Sequence, residues 1–172
     1  MKITQSELMI YRPDEAFEKG ESYFSGIGCK QDYEMAFLFY RSAAERGNAD
    51  AQNSLGFCYE NGIGTETDEL RAAYWYKEAA EQGHTEAQFC IGFCYESGTG
   101  VSEDDGKAAY WFKKAAEGGH SGAQFSYGIC CEEGRGVAKN IQNAAYWYKK
   151  SAAQGESAAQ EKLDSLKARG LI

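Results

Sequence analysis

The dipeptide Ala-Gln stands at Ala51-Gln52, Ala87-Gln88, Ala123-Gln124 and Ala159-Gln160, four times at a spacing of 36 residues. Much of the sequence between the pairs repeats in step. A fixed period of this size means that one supersecondary unit is copied along the chain, each copy burying its apolar faces only against its neighbours. The expected product is a one-dimensional scaffold with an extended recognition surface, not an enzyme built around one pocket.

Aligned on itself, the sequence divides into repeats at 13–48, 49–84, 85–120 and 121–156, with an extension at 1–12 and a remainder at 157–172. Each repeat reads helix, Gly-rich loop, helix, short turn. In the second repeat the first helix covers about Ala49 to Glu60, with Ala51, Leu55, Cys58 and Tyr59 on one side. Gly62-Ile63-Gly64 ends it, since Gly adopts positive φ at little cost. Asp68 then offers an N-cap, and Ala72, Ala73, Trp75, Tyr76, Ala79 and Ala80 pattern a second helix that Gly83 stops. The equivalent loops are Gly26-Ile27-Gly28, Gly98-Thr99-Gly100 and Gly134-Arg135-Gly136; the equivalent caps are Asp32, Asp104 and Asn140. Gly is abundant, at 20 residues, but it is periodic, and an aromatic content of 14% supplies a packed core that a disordered chain lacks.

The pattern Ala-x-Ala-Gln-x-x-Leu-Gly-x-x-Tyr, then Gly-x-Gly, then Ala-x-x-Trp-Tyr-x-x-Ala-Ala-x-x-Gly-His resembles the Sel-1-like repeat, a longer-looped relative of the tetratricopeptide repeat. The likeness covers 13–156. It implies an all-α fold, a right-handed α-α superhelix (solenoid) of four 36-residue helix pairs plus a C-terminal capping helix. It also implies a non-enzymatic adaptor or scaffold in protein assemblies. The first copy departs from the pattern, with Glu15 at the core Ala and Lys19 at the core Leu. Past the last copy the register persists through Ala159, Gln160 and Leu163, but Asp164 stands at the packing Gly, so Ser157 to Arg169 reads as a polar cap.

A net charge of −8 argues against a nucleic-acid backbone or an anionic membrane as main partner, because both need clustered Lys and Arg. No apolar run approaches the roughly 20 residues that span a bilayer, so no membrane insertion is expected. The stretch 1–12 contains Glu7 and has no apolar run of signal-peptide length. The expectation is a cytoplasmic protein, with secretion left open because a trimmed leader would leave the same sequence.

Six Cys residues are present. Cys58, Cys94 and Cys130 recur at one first-helix position and read as small core residues. Cys-rich relatives of the family staple each helix pair with a disulfide; no second-helix Cys recurs here, which fits a reducing compartment. Cys90 and Cys94, or Cys130 and Cys131, fall short of the four ligands of a zinc site. Cys29, in the first loop, is the expected reactive thiol. His84 and His120 share one turn position and read as backbone-bonding residues, not bases. The acidic loop stretches at Glu66–Glu69 and Glu103–Asp105 lack EF-hand spacing, and the Gly-x-Gly loops follow helices, unlike a phosphate cradle. No catalytic residue, metal or cofactor is therefore expected. Two alternatives stay open: a secreted effector or host-factor-binding repeat protein, and a hydrolase, as suggested for Cys-rich relatives.

The resemblance also carries a rule for the groove. In tetratricopeptide-like superhelices the second, fifth, ninth, twelfth and thirteenth positions of each first helix face the concave side. Here the fifth holds Phe17, Asn53, Phe89 and Phe125; the ninth holds Glu21, Phe57, Phe93 and Ile129; the twelfth holds Phe24, Glu60, Glu96 and Glu132. Asp50 and Glu86 take the second position, Asn61 and Glu133 the thirteenth. An aromatic lane beside carboxylates suits a protein or peptide with apolar anchors and basic residues. The competing reading packs the same rings between adjacent first helices, and a third pairs them across a homodimer.

Overall fold

The computed structural model describes Thr4 and residues 8–172; the other positions of the 1–12 stretch, Glu7 among them, lie outside the described residues. Among the described residues there are nine α-helices and no strand. They are α1 (Pro13–Ser25), α2 (Tyr33–Ala44), α3 (Ala49–Asn61), α4 (Glu69–Glu81), α5 (Thr85–Ser97), α6 (Asp105–Glu117), α7 (Ser121–Glu133), α8 (Ile141–Ala152) and α9 (Ser157–Ala168). They fall into two compact units, one ending at Ala87 and one running from Gln88 to Ile172. The first holds the hairpins α1–α2 and α3–α4. The second holds most of α5, then α6, the α7–α8 hairpin and α9.

The second helices start where the sequence places their caps. The side chains of Asp32, Asp68, Asp104 and Asn140 accept the amides of Met35, Arg71, Lys107 and Asn143 at 2.9–3.0 Å, satisfying one of the free N–H groups of each helix start. The first helix of each hairpin ends on a left-handed Gly, and a second left-handed Gly follows two residues on. At two loops this second Gly does more than turn the chain. A Cβ on Gly64 would be driven into the carbonyl oxygen of Tyr33, and one on Gly136 into that of Asp105. Each loop thus lies on the start of the second helix of the preceding hairpin.

Within each hairpin a first-helix Gly lies flat against a second-helix ring: Gly20 on Tyr40, Gly56 on Tyr76, Gly92 on Phe112 and Gly128 on Tyr148. An added Cβ would meet ring carbons at 2.5–2.7 Å. The rings of Tyr40, Tyr76, Phe112 and Tyr148 are almost wholly buried. This close approach is what the small residues permit.

At Gln52 and Gln124 the recurring Gln is a buried staple. Gln52 donates to the Ala44 carbonyl at 3.2 Å and accepts from Gln82 at 2.7 Å. Gln124 does the same with Ala116 at 3.2 Å and Gln154 at 2.8 Å. One side chain therefore ties a first helix both to the end of the preceding helix and to the end of its own hairpin. α9 closes the carboxy-terminal unit with Ala159, Leu163 and Leu166 buried, while Asp164 binds Gln160 and Lys167 in solvent.

Candidate functional site

The first-helix positions expected to face a partner are not equivalent once side chains are placed. In the amino-terminal unit Phe57 is 42% exposed, a large fraction for a phenyl ring. One turn earlier, Asn53 is half-buried, and its Oδ1 is a buried acceptor without a partner among the described residues. Glu60 is exposed and accepts the Tyr76 hydroxyl at 2.7 Å.

In the carboxy-terminal unit Phe93 is likewise 42% exposed. It stands edge-on to Phe89 at 4.7 Å and to Phe112 at 5.1 Å. Phe89 is half-buried, packed against the His120 ring at 4.1 Å. Phe125 and Ile129 are half-buried too, Phe125 against Tyr148 at 5.8 Å. Of the expected aromatic positions, Phe57 and Phe93 are open rings, whereas Phe89 and Phe125 are half-buried against other rings.

The carboxylates are mostly engaged by the chain itself. Buried tyrosine hydroxyls would be costly unpaired, and three of the four hairpins give them a carboxylate: Tyr40 donates to Glu21, Tyr76 to Glu60 and Tyr148 to Glu132. In the first repeat Glu and Phe have traded places, Glu21 and Phe24 standing where the second has Phe57 and Glu60. The hydroxyl finds the carboxylate one turn away regardless. In the third repeat the tyrosine is Phe112, without a hydroxyl, and Glu96 pairs instead with Arg135 at 2.8 Å.

Glu132 is the most enclosed carboxylate, its side chain 11% exposed, with Lys162 at 3.1 Å and Arg169 at 3.4 Å. Burial pushes its pKa up, but the bonds from Tyr148, Lys162 and Arg169 outweigh burial and hold it below the ordinary glutamate value. A group whose pKa is lower folded than unfolded contributes stability above the unfolded value and loses it as pH falls through the folded one. The melting temperature of the full chain is therefore expected to fall more steeply below about pH 5 than that of Glu132→Gln. Acid melts of the two proteins check this; superimposable acid limbs would contradict it.

The remaining polar candidates have structural roles. His84 and His120 are N-caps: their Nδ1 atoms accept the amides of Ala87 and Ala123 at 3.1 and 3.0 Å. An accepting Nδ1 carries no proton, so the neutral ring holds its hydrogen on Nε2, which at His84 lies 3.3 Å from Asp50. None of the six cysteines is in a disulfide. Cys58, Cys94 and Cys130 are buried as read from the repeat. Burial, helped by nearby negative charge, pushes the Cys58 thiol up to about 12, and burial does the same to Cys130; neither supplies a thiolate at neutral pH. Cys29 is exposed, its thiol 3.3 Å from the Ser22 carbonyl.

The Gln staples and the tyrosine–carboxylate bonds were not read from the sequence. A signal for both existed: Gln82 and Gln154 recur with Gln52 and Gln124, and Tyr40, Tyr76 and Tyr148 recur with a nearby Glu.

The Sel1 repeat model matches residues 19–48, 49–84, 85–120 and 121–156. The chain belongs to the Sel1 repeat family. Solved Sel1 structures agree with the hairpins described above. A protective antigen present in uropathogenic Escherichia coli strains, displaying an SLR fold, is 37% identical with a TM-score of 0.88, over 93% of this chain and 34% of that one. A Sel1 repeat protein from Oxalobacter formigenes is 32% identical with a TM-score of 0.83, over 98% of this chain and 68% of that one. Helicobacter pylori cysteine rich protein B is 25% identical with a TM-score of 0.61, over 80% of this chain and 99% of that one. The chain thus spans about a third of the length of the E. coli antigen, 34%. No curated protein matches it. Its fold class is the all-α solenoid of Sel1 helix pairs, a class that is typically non-catalytic and that generally mediates protein–protein interaction. No helix among the described residues is long and apolar enough to cross a membrane.

Proposed function

We propose that this Sel1 repeat chain is a non-enzymatic adaptor that holds a protein segment along its first helices, with phenyl rings as anchors and carboxylates as partners for basic residues. The observation that carries the reading is the exposure of Phe57 and Phe93, each 42%, at the same position of consecutive repeats. Packing does not demand an open ring there, and open aromatic rings are the usual anchors of an interface. Asn53, half-buried one turn from Phe57, lines the same helix face. Phe89, Phe125 and Ile129 serve as the half-buried floor.

Among the three ladder carboxylates, Glu60 is the one to which a partner's Lys or Arg has direct access. At Glu96 an incoming cation must displace Arg135, and at Glu132 it must displace Lys162 and Arg169. A second copy meeting the same rings is the form that self-association would take. The lack of a recurring second-helix Cys suits a reducing compartment, and the reading places the chain in the cytoplasm.

The test begins with a partner recovered by affinity purification from the native source. Phe57→Ser combined with Phe93→Ser is expected to weaken its capture by roughly a hundredfold, as loss of two interface anchors does, with the helical circular dichroism retained. Phe93 rests on two other rings, so its loss costs about 1 kcal/mol of stability, whereas Phe57→Ser leaves melting nearly unchanged. Full recovery of the partner by the double variant would reject the reading.

A further inference from the structure

The charge of the chain is unevenly placed. Residues 1–87 carry 8 Lys and Arg against 16 Asp and Glu, while residues 88–172 carry 10 of each, so the whole −8 belongs to the amino-terminal half. Within the second half, four of the basic residues fall at two repeated positions, Lys113 with Lys114 on α6 and Lys149 with Lys150 on α8. Each pair follows a Tyr-Trp dipeptide, Tyr110-Trp111 and Tyr146-Trp147. Tyr110 is 53% exposed and Tyr146 52%, more open than either first-helix phenyl. Each tyrosine stands edge-on to its tryptophan at 5.0 and 5.1 Å. Lys114 Nζ lies 5.8 Å from the Tyr110 ring centre, and Lys150 Nζ lies 5.4 Å from Tyr146 and 5.2 Å from Trp147. α8 contains no acidic residue at all.

A cation in the last turn of a helix is explained by the helix dipole. An exposed tyrosine four residues earlier, repeated in the next hairpin, is not. The geometry points to a second interaction surface on the outward faces of α6 and α8, one that takes an acidic protein segment whose carboxylates meet Lys114, Lys149 and Lys150 and whose apolar side chains lie against Tyr110 and Tyr146. Charge complementarity selects the acid: these ammonium groups are exposed, and among the described residues the only carboxylate paired with any of them is Glu117, 3.7 Å from Lys113. A nucleic acid fits less well. A long polyanion meets the repulsion of the −8 chain. This surface is independent of the first-helix anchors.

The experiment titrates the full isotope-labelled chain with the acidic peptide Glu-Leu-Glu-Ser-Glu-Phe-Glu-Ser, with its Lys-for-Glu counterpart, and with a thymidine octanucleotide. The acidic peptide alone is expected to shift the indole N–H signals of Trp111 and Trp147, with affinity falling as salt is raised. Lys114→Glu with Lys150→Glu should weaken it by roughly tenfold or more, and Tyr110→Ser with Tyr146→Ser should do so without a charge change. Phe57→Ser should leave it intact, which separates this surface from the proposed anchors. No shift at millimolar peptide, equal binding by the lysine and tyrosine variants, or tighter binding of the oligonucleotide would each overturn the inference.

Discussion

Gly136→Ala is expected to lower the stability of the chain by on the order of 3 kcal/mol, the larger part of it in the contact between two hairpins. Two costs combine. The residue sits at a φ of 67°, where an L side chain costs roughly 1–2 kcal/mol. Its Cβ would also be forced into the Asp105 carbonyl and the neighbouring Gly106 amide, and backbone does not yield as a flexible side chain would. Gly155→Ala separates the two terms, because Gly155 has a φ of 97° with nothing within 4 Å of an added Cβ. Urea melts should therefore rank Gly136→Ala well below Gly155→Ala. Equal losses would mean that the loop does not seat on α6 as described.

Phe112→Ala should cost about 4 kcal/mol, in the range for a large ring removed from a core. Phe112 is fully buried, lies against Gly92, and supports Phe89 at 6.0 Å and Phe93 at 5.1 Å. Its removal takes away both packing and the seat of the open Phe93 ring, so partner capture should weaken along with melting. Phe112→Tyr keeps the ring and restores the residue of the other three repeats. Its stability should stay close to that of the parent, because a hydroxyl there points toward the carboxylate position that Tyr76 and Tyr148 use in their own hairpins. A thermal melt of each variant checks the pair; an Ala variant as stable as the Tyr variant would show that the ring does not bear on the core.

The period made the architecture legible because every repeat demands the same local devices. Asp68 and its equivalents announce helix starts, and Gly62 and its equivalents announce helix ends; both act within a few residues and so leave a local signature. Buried Cys58, Cys94 and Cys130 follow from the same register. What stayed hidden acts across hairpins. Glu96 and Glu132 look like a free acidic pair when only their helices are considered, yet Arg135, Lys162 and Arg169 reach them from 30 to 39 residues away. Gln52 looks like a surface residue of a small-polar pair, and only its two distant partners explain its burial. Phe57 and Phe93 share a repeat position, but Phe93 sits on other rings; that difference comes from Phe89 and Phe112, not from the position itself.

Division of labour follows from these placements. Within each unit, close Gly contacts, Gln staples and tyrosine–carboxylate bonds hold helices together, while the open rings contribute little to that packing. The account therefore stands on Phe57 and Phe93 belonging to recognition. Hydrogen exchange on the full chain, with and without its purified partner, measures this most directly. Added protection over α3 and α5, lost together with binding in Phe57→Ser, is the predicted result. Undiminished binding by that variant, with α3 and α5 exchanging as they do in the free chain, would contradict it.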